Sequence, residues 1–203
     1  MEKTIAFENK QVRLTAYGDR IIRIRISETP DSESLFDRYG LYRKPDEAAG
    51  TLLADGISAG GLAVTFSNGI FTLSGDRFTR KLDVRCAQTE AVKAYFNDVL
   101  DGMRPPQKFI IGEDGKRGFG AVDFQKKPKY AALSGVGGER FYGLGAANTD
   151  RIVLNGKTYL ERVVYQSNEM PVPFLMTKAG YGILCNSTWW HGIDVCARDP
   201  HEI

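Results

Sequence analysis

Alternation of apolar and polar side chains is the strongest pattern in this chain. Val12, Leu14 and Ala16 fall on one side of a strand. After the turn Tyr17-Gly18-Asp19-Arg20, Ile22, Ile24 and Ile26 answer them, interleaved with Arg23 and Arg25. A period of two sets one face against a core and the other in water, so this segment predicts a hairpin. Leu62, Val64 and Phe66 alternate in the same way with Ala63, Thr65 and Ser67. Asn68-Gly69 then supplies the positive φ angles of a two-residue turn, and the chain returns through Phe71 and Leu73. Phe78, Leu82 and Val84 mark a third unit. Residues 108–111 and 119–122 flank Gly112-Glu113-Asp114-Gly115 as a further hairpin, and closing strands are expected at 173–177, 181–186 and 192–197. About twelve strands with turn signals at short intervals predict an all-β fold, a sandwich or a barrel.

Two segments break the pattern. Residues 31–42 carry Leu35, Phe36 and Tyr39 at helical spacing, which fits a short helix or an irregular loop. Residues 89–100 place Val92, Phe96, Val99 and Leu100 on one helical face behind Thr89 as an N-cap. Gly102-Met103-Arg104-Pro105-Pro106 is a stiff connector but too short to divide the chain, so 1–203 is expected to form a single domain.

Composition adds exclusions. The chain is 42% hydrophobic and 26% charged, as a globular protein is. Its 22 glycines and many aromatics favour short strands and tight turns. The net charge of +2 comes from 27 basic and 25 acidic residues that are well mixed. The densest basic run, Lys126-Lys127-Pro128-Lys129, is a loop rather than a nucleic-acid footprint, which needs a clustered face. No apolar run approaches the roughly 18–20 residues that a membrane span requires. The N-terminus has no apolar signal segment, and the expected location is cytoplasmic. Of the three cysteines, Cys185 and Cys196 lie in strand-like segments that can be neighbours. That leaves a disulfide open beside the preferred reading, small buried thiols in a reducing compartment.

Candidate chemistry is sparse. The two histidines, His191 and His201, are joined by no Gly-x-Ser-x-Gly elbow and no metal-ligand spacing, so no metal and no cofactor is expected. His191, after Trp189-Trp190, reads as a hairpin-tip residue. Gly135-Val136-Gly137-Gly138 precedes a strand instead of opening a helix and so cannot cradle a phosphate. Glycoside hydrolysis needs two carboxyl groups about 5–5.5 Å apart for retention. No acidic residue here occupies a strand-end motif of that kind, and Asp150 and Glu161 read first as solvated loop charges.

The order of segments nevertheless resembles the N-terminal β-sandwich domain of the glycoside hydrolase family 31 enzymes, the α-glucosidases and α-xylosidases. The likeness begins with Gln11-Val12-Arg13-Leu14 and Asp19-Arg20-Ile21-Ile22-Arg23-Ile24-Arg25. It is more specific in Phe141-Tyr142-Gly143-Leu144-Gly145, Val172-Pro173-Phe174 and Gly180-Tyr181-Gly182. Residues 30–135 carry no motif of that family. The resemblance implies an antiparallel β-sandwich of the galactose-mutarotase-like supersandwich type. It also implies a separate catalytic (β/α)₈ barrel holding two Asp residues, one of them followed closely by Asn-Glu; this chain has no βα repetition and no Asp followed closely by Asn-Glu. The expectation is therefore an N-terminal accessory domain of a retaining α-glycosidase, separated from its barrel, with no catalytic residue of its own.

In that family the loop between the Gly-Leu-Gly strand and the Pro-Phe strand helps to shape the sugar pocket. Here it spans 146–170, and the resemblance makes Asp150, Glu161 and Arg162 the candidate substrate-binding residues. Ala146 departs from the Glu that many members carry. The implied partners are the barrel and an oligosaccharide or glycoside, with no nucleic acid and no membrane. A face that normally meets the barrel is expected near this loop and the Trp189-Trp190 hairpin, exposed as an apolar patch or buried in a homo-oligomer. Two rival readings stand beside this one. A free-standing carbohydrate-binding module would use Trp189, Trp190 and Tyr159 as stacking platforms. A mutarotase-type enzyme would need a His and a Glu in one cleft.

Overall fold

The computed structural model describes residues 1–28, 40, 46, 49–85, 109–111, 117–119, 131–145, 151–161, 172–186 and 191–203. Every regular element among them is a strand, and the strands are antiparallel throughout. The segment 31–42, apart from Gly40, and the helix expected at 89–100 lie outside the described residues.

The opening hairpin forms as its alternation dictates. β1 (Glu2–Phe7), β2 (Lys10–Tyr17) and β3 (Ile21–Ser27) make a three-stranded sheet. Val12, Leu14 and Ala16 face Ile26, Ile24 and Ile22 in register. A six-stranded sheet follows from β4 (Thr51–Leu53), β5 (Gly56–Ala59), β6 (Leu62–Ser67), β7 (Ile70–Gly75), β8 (Phe78–Asp83) and β11 (Ala132–Ser134). Its spatial order is β11-β8-β7-β6-β5-β4. The β6–β7 turn has φ of 47° at Asn68 and 80° at Gly69, the double positive value that a type I′ turn needs. β9 (Phe109–Ile111) and β10 (Arg117–Phe119) pair as a separate hairpin, its second strand starting earlier than the sequence pattern placed it.

Three small pieces complete the fold. β12 (Phe141–Gly143), β14 (Phe174–Thr177) and β15 (Gly182–Leu184) form one sheet in the order β12-β14-β15. β13 (Lys157–Glu161) pairs with β16 (His191–Val195). The C-terminus runs back along β11, where Leu133 and Ile203 exchange backbone hydrogen bonds of 2.9 and 3.0 Å.

One face of the six-stranded sheet carries Ile57, Val64, Phe66, Phe71, Leu73, Leu82 and Leu133, which the pairing registers set side by side. Part of that face packs on Val12, Leu14 and Ala16 of β2. The rest packs against Phe141, Leu144, Leu154, Tyr159, Leu175, Ile193 and Val195. Leu73 and Leu82 touch both clusters and join them. The result is a β-sandwich with one broad sheet facing a second layer of smaller sheets. Each fully buried Leu, Ile or Phe in it contributes roughly 1.5–3 kcal/mol.

Candidate functional site

Of the residues expected to meet sugar, Tyr159 and Glu161 lie within the described residues. Asp150 and Arg162 lie outside the described residues, as do Trp189 and Trp190. Glu161 ends β13 directly opposite His191, which opens β16 rather than sitting at a hairpin tip. Tyr159 is not a stacking platform. It is 1% exposed in the core, and its hydroxyl donates to the Leu154 carbonyl at 3.1 Å. β13 turns Tyr159 inward because its register partner, Ile193, also faces the core. Cys185 and Cys196 are thiols rather than a disulfide, and Cys185 is exposed, not buried. Burial, reinforced by the charge of Asp194, pushes the Cys196 thiol up.

The enclosed carboxylates are structural. Asp194 accepts from Thr158 Oγ1 at 2.8 Å with Oδ2, and from the backbone N–H groups of Ala197 and Arg198 at 3.0 and 3.2 Å with Oδ1. Glu139 binds the broad sheet to the second layer. Its Oε1 accepts from Arg80 Nε at 2.6 Å, and its Oε2 accepts from Thr177 Oγ1 at 2.9 Å. The Arg80–Glu139 ion pair is 15% and 10% exposed at its side chains. With each oxygen engaged by a neighbouring side chain, Glu139 serves to hold the two layers together. Asn155 extends the clamp, donating to the Glu139 carbonyl at 2.8 Å and accepting from Phe141 N–H at 2.9 Å.

Next to this network lies a cleft of about 540 Å³. It opens between β3 and β15, each the last strand of its sheet, over a floor from β6, β7 and β8. Tyr181 and Phe78 pack there with ring centroids 4.5 Å apart and planes tilted by 42°. The Arg80 guanidinium carbon sits 5.8 Å from the Tyr181 ring centre, within cation–π range. The Tyr181 hydroxyl is buried against Arg80 and Glu139 without a hydrogen bond of normal geometry. Burial raises its pKa above the ordinary tyrosine value, and the opposing pull of Arg80 does not cancel that. Burial lowers the Arg80 pKa, but the hydrogen bond and negative charge of Glu139, with the Tyr181 oxygen beside them, outweigh this, so the guanidinium is held above its ordinary value.

A third surface adjoins the cleft. On β14, Leu175 and Thr177 face the core, whereas Phe174 and Met176 face out. Leu184 of β15 is the register partner of Phe174. With Val172 these side chains form an apolar group, from 36% exposed at Phe174 to 50% at Leu184. Ile152, within the 146–170 segment, is 82% exposed. Within the place expected for a barrel-facing surface, Ile152 is the exposed large apolar side chain among the described residues, and the β14–β15 group is a further exposed apolar surface.

No family model matches the chain, and no curated protein matches it. Among solved structures it is similar to a glycoside hydrolase family 31 α-xylosidase from a soil metagenome, complexed with xylose. That likeness has 15% identity and a TM-score of 0.57, and covers 97% of this chain and 28% of the xylosidase. A family 31 dextranase from Flavobacterium johnsoniae aligns at 12% identity and a TM-score of 0.46, over 100% of this chain and 24% of the enzyme. The chain therefore spans little more than a quarter of the length of the α-xylosidase, whose fold it shares.

Proposed function

We propose that this chain is the N-terminal accessory domain of a cytoplasmic, retaining α-glycosidase of the family 31 type. The observation that carries this reading is the likeness to the α-xylosidase, which takes in nearly the whole chain but little more than a quarter of the enzyme. The exposed apolar side chains of β14 and β15 support it, because a barrel needs a dry surface to rest on. In this role the sandwich buttresses the barrel, and the 146–170 segment, with Asp150, Glu161 and Arg162, supplies one wall of the sugar pocket. The substrate is an oligosaccharide or glycoside with a terminal α-linked sugar. The structural hydrogen bonds of Glu139 and Asp194 agree with catalysis lying elsewhere.

The test is enzymatic and direct. Purified chain incubated with aryl α-xyloside and aryl α-glucoside is expected to release no aglycone above the rate in buffer. Steady turnover that follows the concentration of the chain overturns the accessory role. Reading the coding sequence beyond Ile203 provides the complementary check, with a βα-repeating region bearing two Asp residues as the expected result.

A further inference from the structure

The cleft between β3 and β15 has a chemistry that the accessory role does not use. Three turns meet at its rim. The β5–β6 turn lies between the other two: a Cβ on Gly60 would fall 1.3 Å from the Asp19 carbonyl oxygen, and one on Gly61 would fall 3.5 Å from Asp76 Oδ1. Arg20 therefore enters from the β2–β3 turn and Arg77 from the β7–β8 turn on the same edge. A Cβ on Gly180 would lie 3.6 Å from Arg77 Nη2, so this guanidinium reaches towards the β14–β15 turn beside Tyr181.

Charge in the cleft is one-sided. Four of its lining residues are Arg20, Arg23, Arg77 and Arg80, against the single acid Asp76. Glu139 neutralises Arg80 from behind. Arg20 and Arg77 are both exposed, and neither makes an ion pair among the described residues. The lining is otherwise largely apolar and includes aromatic rings, Phe78 on the floor and Tyr181 and the partly exposed Phe174 on the β14–β15 side. A volume of about 540 Å³ falls within the range of small-molecule sites and accommodates one or two sugar rings. Planar guanidinium groups suit carboxylate and phosphate, which they can grip with two hydrogen bonds, and aromatic faces suit the C–H face of a ring.

We propose that this cleft binds a small acidic saccharide, one or two rings bearing a carboxylate or a phosphate. Arg20 and Arg77 hold the anion, and Phe78 and Phe174 flank the ring. This goes beyond the accessory role and stands without it, since the aryl glycoside assay leaves the cleft untested.

Two-dimensional NMR titration of the whole chain decides the matter, with glucuronate, glucose 6-phosphate, glucose and inorganic phosphate as probes. Saturable shifts confined to Gly60–Gly61, Asp76–Phe78 and Gly180–Gly182 are expected with at least one acidic sugar; whichever acidic sugar binds more tightly identifies the anion. Glucose and inorganic phosphate are each expected to bind at least tenfold more weakly. Arg77→Gln and Arg20→Gln should each weaken the acidic sugar at least tenfold while leaving the melting temperature unchanged, because both are exposed turn residues. Absence of saturable shifts overturns the proposal. So does glucose or phosphate binding as tightly as the acidic sugar, or affinity unchanged in both variants.

Discussion

At the scale of single residues, the most informative side chain is Tyr181. Its hydroxyl is buried without a well-formed hydrogen bond, an arrangement that costs about 1–3 kcal/mol relative to a satisfied group. Burial, foremost, holds the proton on the oxygen above the ordinary value of 10.0. The folded chain then keeps this proton at alkaline pH where the unfolded chain gives it up. Tyr181 therefore supports the fold fully below pH 10, and that support fades as pH rises beyond it. Tyr181→Phe has no proton to lose. Urea midpoints measured from pH 7 to 11 should show the variant equal to or above the parent at pH 7, with a shallower decline above pH 10. Parallel profiles for the two proteins would refute this account. Neither the network nor its titration was legible in the sequence. Arg80 and Glu139 are 59 positions apart, and nothing local marks them as partners.

At the scale of elements, the glycine-rich segment that carried the family resemblance proves to be a backbone device. Gly143, Leu144 and Gly145 take φ of 121°, 61° and 63° in succession. Leu144 tolerates that conformation because it is 1% exposed in the core and its N–H donates to the Phe174 carbonyl at 2.9 Å. Gly143 has no room for more: a Cβ there would stand 2.1 Å from that same carbonyl oxygen. Gly143→Ala must push β12 away from β14 and strain φ, at a cost of about 3 kcal/mol or more. Chemical denaturation should show a clear loss of stability, and a variant as stable as the parent would refute the close approach. The hairpins β2–β3 and β6–β7 were legible because alternation and turn residues agree within one short window. β4 and β5 were not, since Thr51–Leu53 and Gly56–Ala59 are too short to show a period. Tyr159 misled for another reason. An aromatic in a polar-looking segment reads as surface until its partner strand, more than thirty residues on, is known to turn it inward.

At the scale of the whole molecule, the sandwich has one layer whose outer side is not fully wet. Phe174 and Leu184 pair across β14 and β15, with Met176 and Val172 beside them, all outward and all apolar. The inward side of β14 already serves the core through Leu175, so these residues are not needed to hold the sandwich together. A monomer seldom leaves so contiguous a group open to water unless something docks on it. The family 31 likeness was legible in the order of motifs, but this surface was not, because strand pairing alone puts β14 and β15 face to face with solvent. If the surface meets a partner domain, the chain alone should self-associate as its concentration rises and should brighten a hydrophobic dye. Val172→Lys with Met176→Lys should abolish both effects. Neither residue lines the cleft, and both are already exposed, so the melting temperature should move little and saccharide binding should persist. Light scattering and dye fluorescence on parent and variant decide the point. A parent chain that stays monomeric and leaves the dye dark would remove the surface as a docking face, and with it the support this surface lends to a barrel partner.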